Sequence, residues 1–190
     1  MSSSSRRFCL RQGTWATHQE LDALIGPLNT LTAYKRYLLA VYTLRKSFES
    51  AIHEVTWPEH FGTWRPTTLA VAMEQDLADL GLAAPPTQPL PTFSNISSLL
   101  GALYVTEGAS LGARLLVRQA ASLGMTSDFG ARHLTQQVAE SDQWTHFLTV
   151  LDQAPEFDEL LATETALSLF SYAMAAVHRA DAALEVQKHG

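Results

Sequence analysis

The stretch LGALYVTEGASLGARLL, residues 100–116, decides the fold, because its pattern is helical although it contains three glycines. A glycine inside a helix costs roughly 0.5–1 kcal/mol relative to alanine, so this composition needs a structural or functional reason. Gly108 and Gly112 are four residues apart and share one helix face, with Ala109 and Ala113 beside them. The pattern therefore predicts a groove without side chains. Three leucines flank it: Leu103, Leu111 and Leu115.

Two explanations fit such a groove. Small residues let a second helix pack closely, and glycines four residues apart are a weak motif that is common at such contacts. Alternatively, a flat ligand lies against the bare backbone. The spacing alone leaves both explanations open.

The first predicted helix carries a histidine and an arginine that favour the ligand. A stripe on this helix is expected to face the core: Leu10, Thr14, His18, Leu21 and Ile25. A histidine on such a stripe is either a hydrogen-bonded core residue or a ligand. Arg11 lies seven residues before His18, two turns along the same side. With no carboxylate on the stripe, a cation and an imidazole suit haem, which offers iron to the imidazole and propionates to the arginine.

Length and periodicity predict one all-α domain of about eight helices. The chain has 190 residues, of which 46% are hydrophobic and 17% charged. We expect a flexible N-terminus over residues 1–8 and a single domain over residues 9–190. A proline-rich loop is expected over 83–95, with Ser94 or Asn95 capping the helix that follows.

Charge and cysteine content exclude several classes of protein. The formal charge of −6 leaves no basic footprint for nucleic acid. Cys9 is the only cysteine, so neither an intrachain disulfide nor a thiolate metal cluster can form. No run of 18 apolar residues and no signal-peptide pattern occur, so we expect a cytoplasmic protein without a membrane span. A carboxylate-bridged di-iron bundle would need paired Glu-x-x-His motifs, and the sequence has none.

Two segments in order resemble bacterial haem oxygenases, in particular the branch associated with bacteriophytochromes. LRQGTWATHQELD is similar to the proximal segment of the family, and LGALYVTEGASLGARLL to the distal segment of that branch. The matching proximal positions are Leu10, Arg11, Thr14, His18, Leu21 and Asp22. The matching distal positions are Leu100, Gly101, Leu103, Tyr104, Val105, Glu107, Gly108, Leu111 and Gly112. The resemblance covers nearly the whole chain, because RPTTLAVAMEQDLADLG, FGARHL and QWTHFLTVLD also look like that branch.

The resemblance implies a helical fold that holds haem between the first helix and a kinked distal helix. It implies that His18 is the axial ligand of the haem iron and that Arg11 contacts a propionate. It also implies that the backbone at Gly108 and Gly112 lies over the haem. Gly13 stands where the family has alanine, and we expect only a loss of helix propensity there.

Three further residues are candidate haem contacts. Tyr104 lies one turn before Gly108, so its hydroxyl either faces haem or packs in the core. Ala109 lies in the groove, where the branch has serine and the animal enzymes have an aspartate that orders distal water. Arg132 is expected at the haem edge.

The activity that the resemblance implies is cleavage of haem b, both substrate and cofactor, to biliverdin, carbon monoxide and iron. O2 and an electron donor such as a ferredoxin–reductase pair or ascorbate are then the partners, and the biliverdin would supply a bacteriophytochrome. The alternative is a haem-binding or haem-trafficking protein of the same fold that has no turnover. Vitamin-degrading enzymes that share the fold without haem are a third class.

Overall fold

The computed structural model describes residues 3–93, 95–140 and 142–189. Within these ranges the chain forms eight α-helices and one single-turn 3-10 helix, with no strand. The prediction of an all-α domain is therefore confirmed. The α-helices are α1 (Ser3–Ile25), α2 (Leu31–His53), α3 (Ala70–Asp79), α4 (Ile96–Gly108), α5 (Ser110–Ser122), α6 (Arg132–Ala139), α7 (Gln143–Gln153) and α8 (Glu159–His189); the 3-10 turn is Glu59–Phe61.

Local sequence signals place several helix ends. The Asn95 side chain accepts a hydrogen bond of 2.7 Å from the backbone N–H of Ser97 and caps α4 as predicted. Ser94, the alternative cap, lies outside the described residues. Gly26 and Gly81 follow α1 and α3 with φ values of 67° and 66°, a left-handed conformation that glycine adopts without steric cost.

The N-terminal segment differs from the expectation of a flexible tail. Helix α1 begins at Ser3, and residues 3–8 belong to it. The Arg6 guanidinium donates hydrogen bonds to the carbonyl oxygens of Leu151 (2.7 Å) and Ala154 (2.9 Å) at the end of α7. Residues 3–8 are therefore continuous with α1, and Arg6 connects this segment to the end of α7.

Helix α8 is the central element and packs on α1, α2 and α4. Its 31 residues make it about 46 Å long. Its most apolar window, within Glu159–Val186, has a mean hydropathy of 1.4, which by length and composition alone would suffice to cross a membrane. Packing against three other helices accounts for this composition. The residues on its buried face include Ala162, Ala166, Leu169, Phe170, Ala173 and Val177.

The interior consists of two apolar clusters. The first core cluster includes Leu38, Leu77, Leu134 and Val177. The second core cluster includes Phe48, Leu100, Phe147 and Phe170. Helix α8 contributes to both clusters and so joins the two halves of the molecule.

Two glycines let α1 and α4 approach α8 closely. A Cβ added to Gly101 of α4 would lie 2.1 Å from the carbonyl oxygen of Ala162. A Cβ added to Gly13 of α1 would lie 2.5 Å from Cγ2 of Thr163. Both helices therefore meet α8 at the same level. Gly13 has a packing role, contrary to our expectation that only helix propensity is at stake there.

We expect the Gly101→Ala substitution to destabilise the protein by about 3 kcal/mol or more, because overpacking a buried contact costs about 1–3 kcal/mol and the obstacle here is backbone. The measurement is the free energy of unfolding in urea. The control is Gly112→Ala, where an added Cβ has no neighbour within 4 Å, so that variant should gain up to about 1 kcal/mol of helix propensity. Equal stabilities for the two variants would contradict the packing role of Gly101.

Candidate functional site

The glycine-rich stretch is two helices separated by a break. Helix α4 ends at Gly108, α5 begins at Ser110, and Ala109 lies between them. The hydrogen bonds here are long: 3.3 Å from Ala109 N to the carbonyl of Val105, and 3.3 Å from Gly112 N to the carbonyl of Ala109. The second of these spans three residues instead of four, so the helix tightens at this point. The kink expected in the distal helix is therefore present.

The face of α5 after this break is open and apolar. An added Cβ at Gly112 would have no neighbour within 4 Å. Leu111 and Leu115 on either side are 64% and 53% exposed. Among the described residues no helix packs over this bare position, so helix–helix packing does not explain Gly112. Close packing does explain Gly101, which lies outside the predicted groove.

Gly108 lies against an indole that the sequence did not identify as functional. An added Cβ at Gly108 would lie 3.5 Å from Cζ3 of Trp144 on α7. The Trp144 ring is also 5.7 Å from the Tyr104 ring and lies under the Arg7 guanidinium at 5.7 Å. Trp144 thus forms a wall beside the break. The only signal in the sequence was its position in QWTHFLTVLD, a segment that resembles the phytochrome-associated branch.

Tyr104 packs between helices and also borders the candidate site. Its half-buried ring is next to Trp144, and burial raises the pKa of the phenol. A hydrogen bond with Thr14 and the positive charges of Arg7 and Arg11 oppose that rise. The phenol therefore lies beside α1, within the electrostatic reach of Arg11. The structure brings Arg11, Tyr104 and Gly108 to one region.

His18 lies at the border of the buried stripe. Leu10 and Thr14 are buried as predicted, whereas the His18 side chain is 49% exposed. One edge of its ring meets Phe170 of α8, with centroids 5.7 Å apart, and its face lies parallel to Trp15 at 6.3 Å. The expectation that His18 faces the core like Leu10 and Thr14 is not met, because Phe170 of α8 covers one edge of the ring and about half of the side chain stays exposed.

The ring nitrogens of His18 have different surroundings. Nδ1 lies 3.2 Å from Oδ2 of Asp22, one turn later on α1. A carboxylate at this nitrogen orients the ring and leaves Nε2 as the atom able to bind a metal. Within the described ranges, no three His, Cys, Asp or Glu side chains come together in a way that could hold a metal ion.

Both candidate faces lie on helices that connect the same two clusters. In α1, Leu10 belongs to the second core cluster, and Leu24 and Ile25 pack against the first. In the distal segment, Tyr104 packs against the second core cluster and Leu116 against the first. Along the chain, α1 and the distal segment therefore both lead from the second core cluster to the first. His18 in α1 and Gly112 near the start of α5 are both exposed.

Arg132 has a structural role. Its guanidinium donates to Oδ1 of Asp76 at 3.0 Å, and also contacts Asp79 and the carbonyl oxygen of Asp128. Asp76, which is fully buried, also accepts hydrogen bonds from the backbone and ring of His133. These contacts join α6 to α3, and they engage both Nη1 and Nη2 of Arg132. The expected contact of Arg132 with the haem edge is therefore not retained.

Comparison with known proteins agrees with this geometry. The chain matches no protein-family model. It is 30% identical over 162 residues to the haem oxygenase PigA of Pseudomonas aeruginosa, a match that covers 81% of this chain and 82% of that protein. The fold is similar to that of the NO- and CO-bound haem oxygenase of Neisseria meningitidis, with a TM-score of 0.77 and 22% identity over 95% of this chain and 92% of that one. The fold, the kinked glycine segment and the sequence match together show that the chain belongs to the haem oxygenase family of haem-degrading enzymes.

Proposed function

We propose that this protein binds haem b and cleaves it to biliverdin, carbon monoxide and iron, using O2 and electrons from an external donor. Ascorbate or a ferredoxin with its reductase would provide the electrons. The observation that carries the proposal is the bare backbone at Gly112, open to its surroundings between exposed Leu111 and Leu115. A porphyrin face laid on this surface would remove both leucines from water, which is favourable.

His18 would hold the iron through Nε2. Its ring is accessible, and Asp22 next to Nδ1 fixes the ring orientation and increases the basicity of the other nitrogen. Phe170 and Trp15 restrict rotation of the ring by contact with its edge and face. Bound haem supplies both the iron that activates O2 and the ring that is oxidised.

Arg11 would hold a propionate. It is exposed on the face of α1 that carries His18, and its guanidinium lies 5.3 Å from the centroid of Trp15. A guanidinium can bind a carboxylate through two parallel hydrogen bonds, which would fix the haem in its plane. Tyr104 is near enough to Arg11 to feel its charge, so we place it at the same edge of the site.

The distal face offers backbone instead of acids or bases. Gly108, Ala109 and Gly112 have no side chain that could donate a proton, and the hydroxyl of Ser110 donates to the carbonyl of Glu107 at 2.6 Å. Protons would therefore arrive through water held by backbone carbonyls. A face without acid–base side chains lacks the groups that peroxidases use to cleave the O–O bond.

Haem titration followed by oxygen tests the proposed activity. We expect anaerobic addition of haem to produce a histidine-ligated absorption spectrum. Addition of O2 with ascorbate or a ferredoxin–reductase pair should then replace it with the biliverdin spectrum and release carbon monoxide. A haem spectrum that stays unchanged after O2 and reductant would favour the haem carrier instead. No spectral change on haem addition would contradict both, and would favour an enzyme of this fold without haem.

We further propose that the biliverdin supplies a bacteriophytochrome and that the reaction takes place in the cytoplasm. Support comes from the likeness of the distal segment to the phytochrome-associated branch and from the single cysteine, Cys9. Analysis of the biliverdin isomers in the same experiment shows whether a single isomer is released, as a chromophore precursor requires.

A further inference from the structure

A buried carboxyl group precedes the break in the distal segment. The Glu107 side chain is 2% exposed, and within the described part of the chain its Oε1 has no hydrogen-bond partner. The nearest cation is Arg45 of α2, with Nη1 4.0 Å from that oxygen and a side chain 3% exposed. A buried carboxyl oxygen without a hydrogen bond is costly when charged, so this group needs an explanation.

Arg45 also holds the last turn of α4. Its Nη2 donates a hydrogen bond of 2.6 Å to the carbonyl oxygen of Thr106, and Nη1 is 3.5 Å from that of Thr67. The carbonyl of Glu107 itself accepts from the Ser110 hydroxyl across the break. One guanidinium therefore connects α2 to the backbone directly before Gly108.

The cluster contains more carboxyls than cations. Glu49 from α2 and Glu140 at the end of α6 both place negative charge near Glu107, and Arg45 is the cation that acts on Glu107. The ammonium group of Lys46 acts on Glu49 together with Arg45. Glu49 accepts hydrogen bonds from the backbone N–H groups of α3's start, 2.6 Å from Leu69 N, which stabilise its charged form. Glu140 accepts from the Thr67 hydroxyl at 2.6 Å. Glu107 is the most buried of the three and has the unpartnered oxygen.

The charges around Glu107 also favour its protonated form. Burial raises the pKa of Glu107 to about 7, and the negative charges of Glu140 and Glu49 add to the rise. The charge of Arg45 and a backbone hydrogen bond from Thr67 oppose it. A proton is held most readily on the carboxyl whose charged form is stabilised by the fewest hydrogen bonds.

We propose that Glu107 is a positioning residue that carries the exchangeable proton of this cluster and thereby controls the bend at Gly108–Ser110. With the proton present, Arg45 is free to hold the carbonyl of Thr106. When the proton is lost, the carboxylate attracts the same guanidinium and competes with that carbonyl. The effect on the substrate face rests on the proposed function, whereas the proton equilibrium and its effect on the bend do not.

Infrared spectroscopy of the haem-free protein tests the proton. In the wild type, we expect the carbonyl stretch of a buried, protonated carboxyl to disappear as the pH rises through about 7. Glu107→Gln should remove this titrating band. Glu140→Gln is the matched control, because it removes a repelling charge and should shift the midpoint to lower pH while keeping the band. A wild-type protein without a protonated carboxyl at pH 6, or a band that persists in Glu107→Gln, would overturn the proposal.

Hydrogen exchange tests the effect on the bend. We expect the amides of residues 105–112 to exchange several-fold differently below and above the midpoint, after correction for the intrinsic pH dependence of exchange. This difference should vanish in Glu107→Gln, which mimics the protonated form. A difference that is the same in both proteins would show that Glu107 does not control the segment. If Glu107→Gln fails to fold, the wild-type protein is sufficient for the test. Exchange of residues 105–112 that does not depend on pH in the wild type would refute the proposal.

Discussion

Replacement of His18 by alanine will abolish the histidine-ligated spectrum of the haem complex. About half of the imidazole is exposed, its Nδ1 lies beside Asp22, and no cluster of three metal-binding side chains occurs in the described ranges. Haem should still associate weakly through Arg11 and apolar contacts, but turnover should be lost. The measurement is the absorption spectrum of the ferric and CO-bound ferrous complexes during haem titration.

The stability of His18→Ala and the effect of added imidazole distinguish iron binding by His18 from a structural role. The contacts of His18 with Phe170 and Asp22 are partly exposed, so the haem-free variant should lose no more than about 1 kcal/mol of unfolding free energy. Imidazole added to the variant should restore the nitrogen-ligated spectrum. His53→Ala is the control, because that exposed histidine pairs with Glu54 at the end of α2. A spectrum that survives His18→Ala unchanged would remove His18 as the ligand.

Local signals in the sequence were sufficient to locate most of the fold. The 3.6-residue period predicted about eight helices, and eight α-helices are present in the described ranges; Asn95 predicted the start of α4. The start of α1 was missed because it depends on Arg6 reaching carbonyl oxygens almost 150 residues later in the chain. Such a contact leaves no periodic pattern near the residue that makes it.

At the candidate site too, the sequence predicted features that depend on residue spacing and did not predict contacts between distant segments. The spacing of Gly108 and Gly112 predicted a bare face, and Gly112 is open. Spacing alone did not separate Gly101, which meets the backbone of α8, from Gly112, since both have the same sequence context of a helical glycine. The neighbour across the interface decides between them.

Charged residues were the hardest to assign from sequence. Arg132 was expected at the haem edge, but the aspartates of α3 bind its guanidinium. No sequence pattern identified Arg45, which is almost fully buried next to Glu107. The role of an arginine depends on which carboxylates the fold brings to it, and its own sequence segment does not contain that information.

Gly112→Leu will separate the stability of the protein from its function. Since an added Cβ at this position has no neighbour within 4 Å and leucine has a better helix propensity than glycine, the haem-free variant should be as stable as the wild type or up to about 1 kcal/mol more stable. The isobutyl group would fill the space that we assign to the porphyrin and to O2. Haem affinity should fall by at least about 100-fold, equivalent to about 2.7 kcal/mol. The measurements are urea unfolding of the haem-free protein and spectroscopic haem titration.

The control for this substitution is Ala121→Leu, an exposed position nine residues, or about two and a half turns, further along α5. It adds a side chain of the same kind to the same helix, so it should leave haem affinity and turnover unchanged. If Gly112→Leu binds and degrades haem like the control, the bare face of α5 is not the haem surface. If instead Gly112→Leu unfolds at low urea concentration, the face is covered by the protein's own side chains. Only a stable variant without haem binding fits a glycine that is kept bare for the substrate.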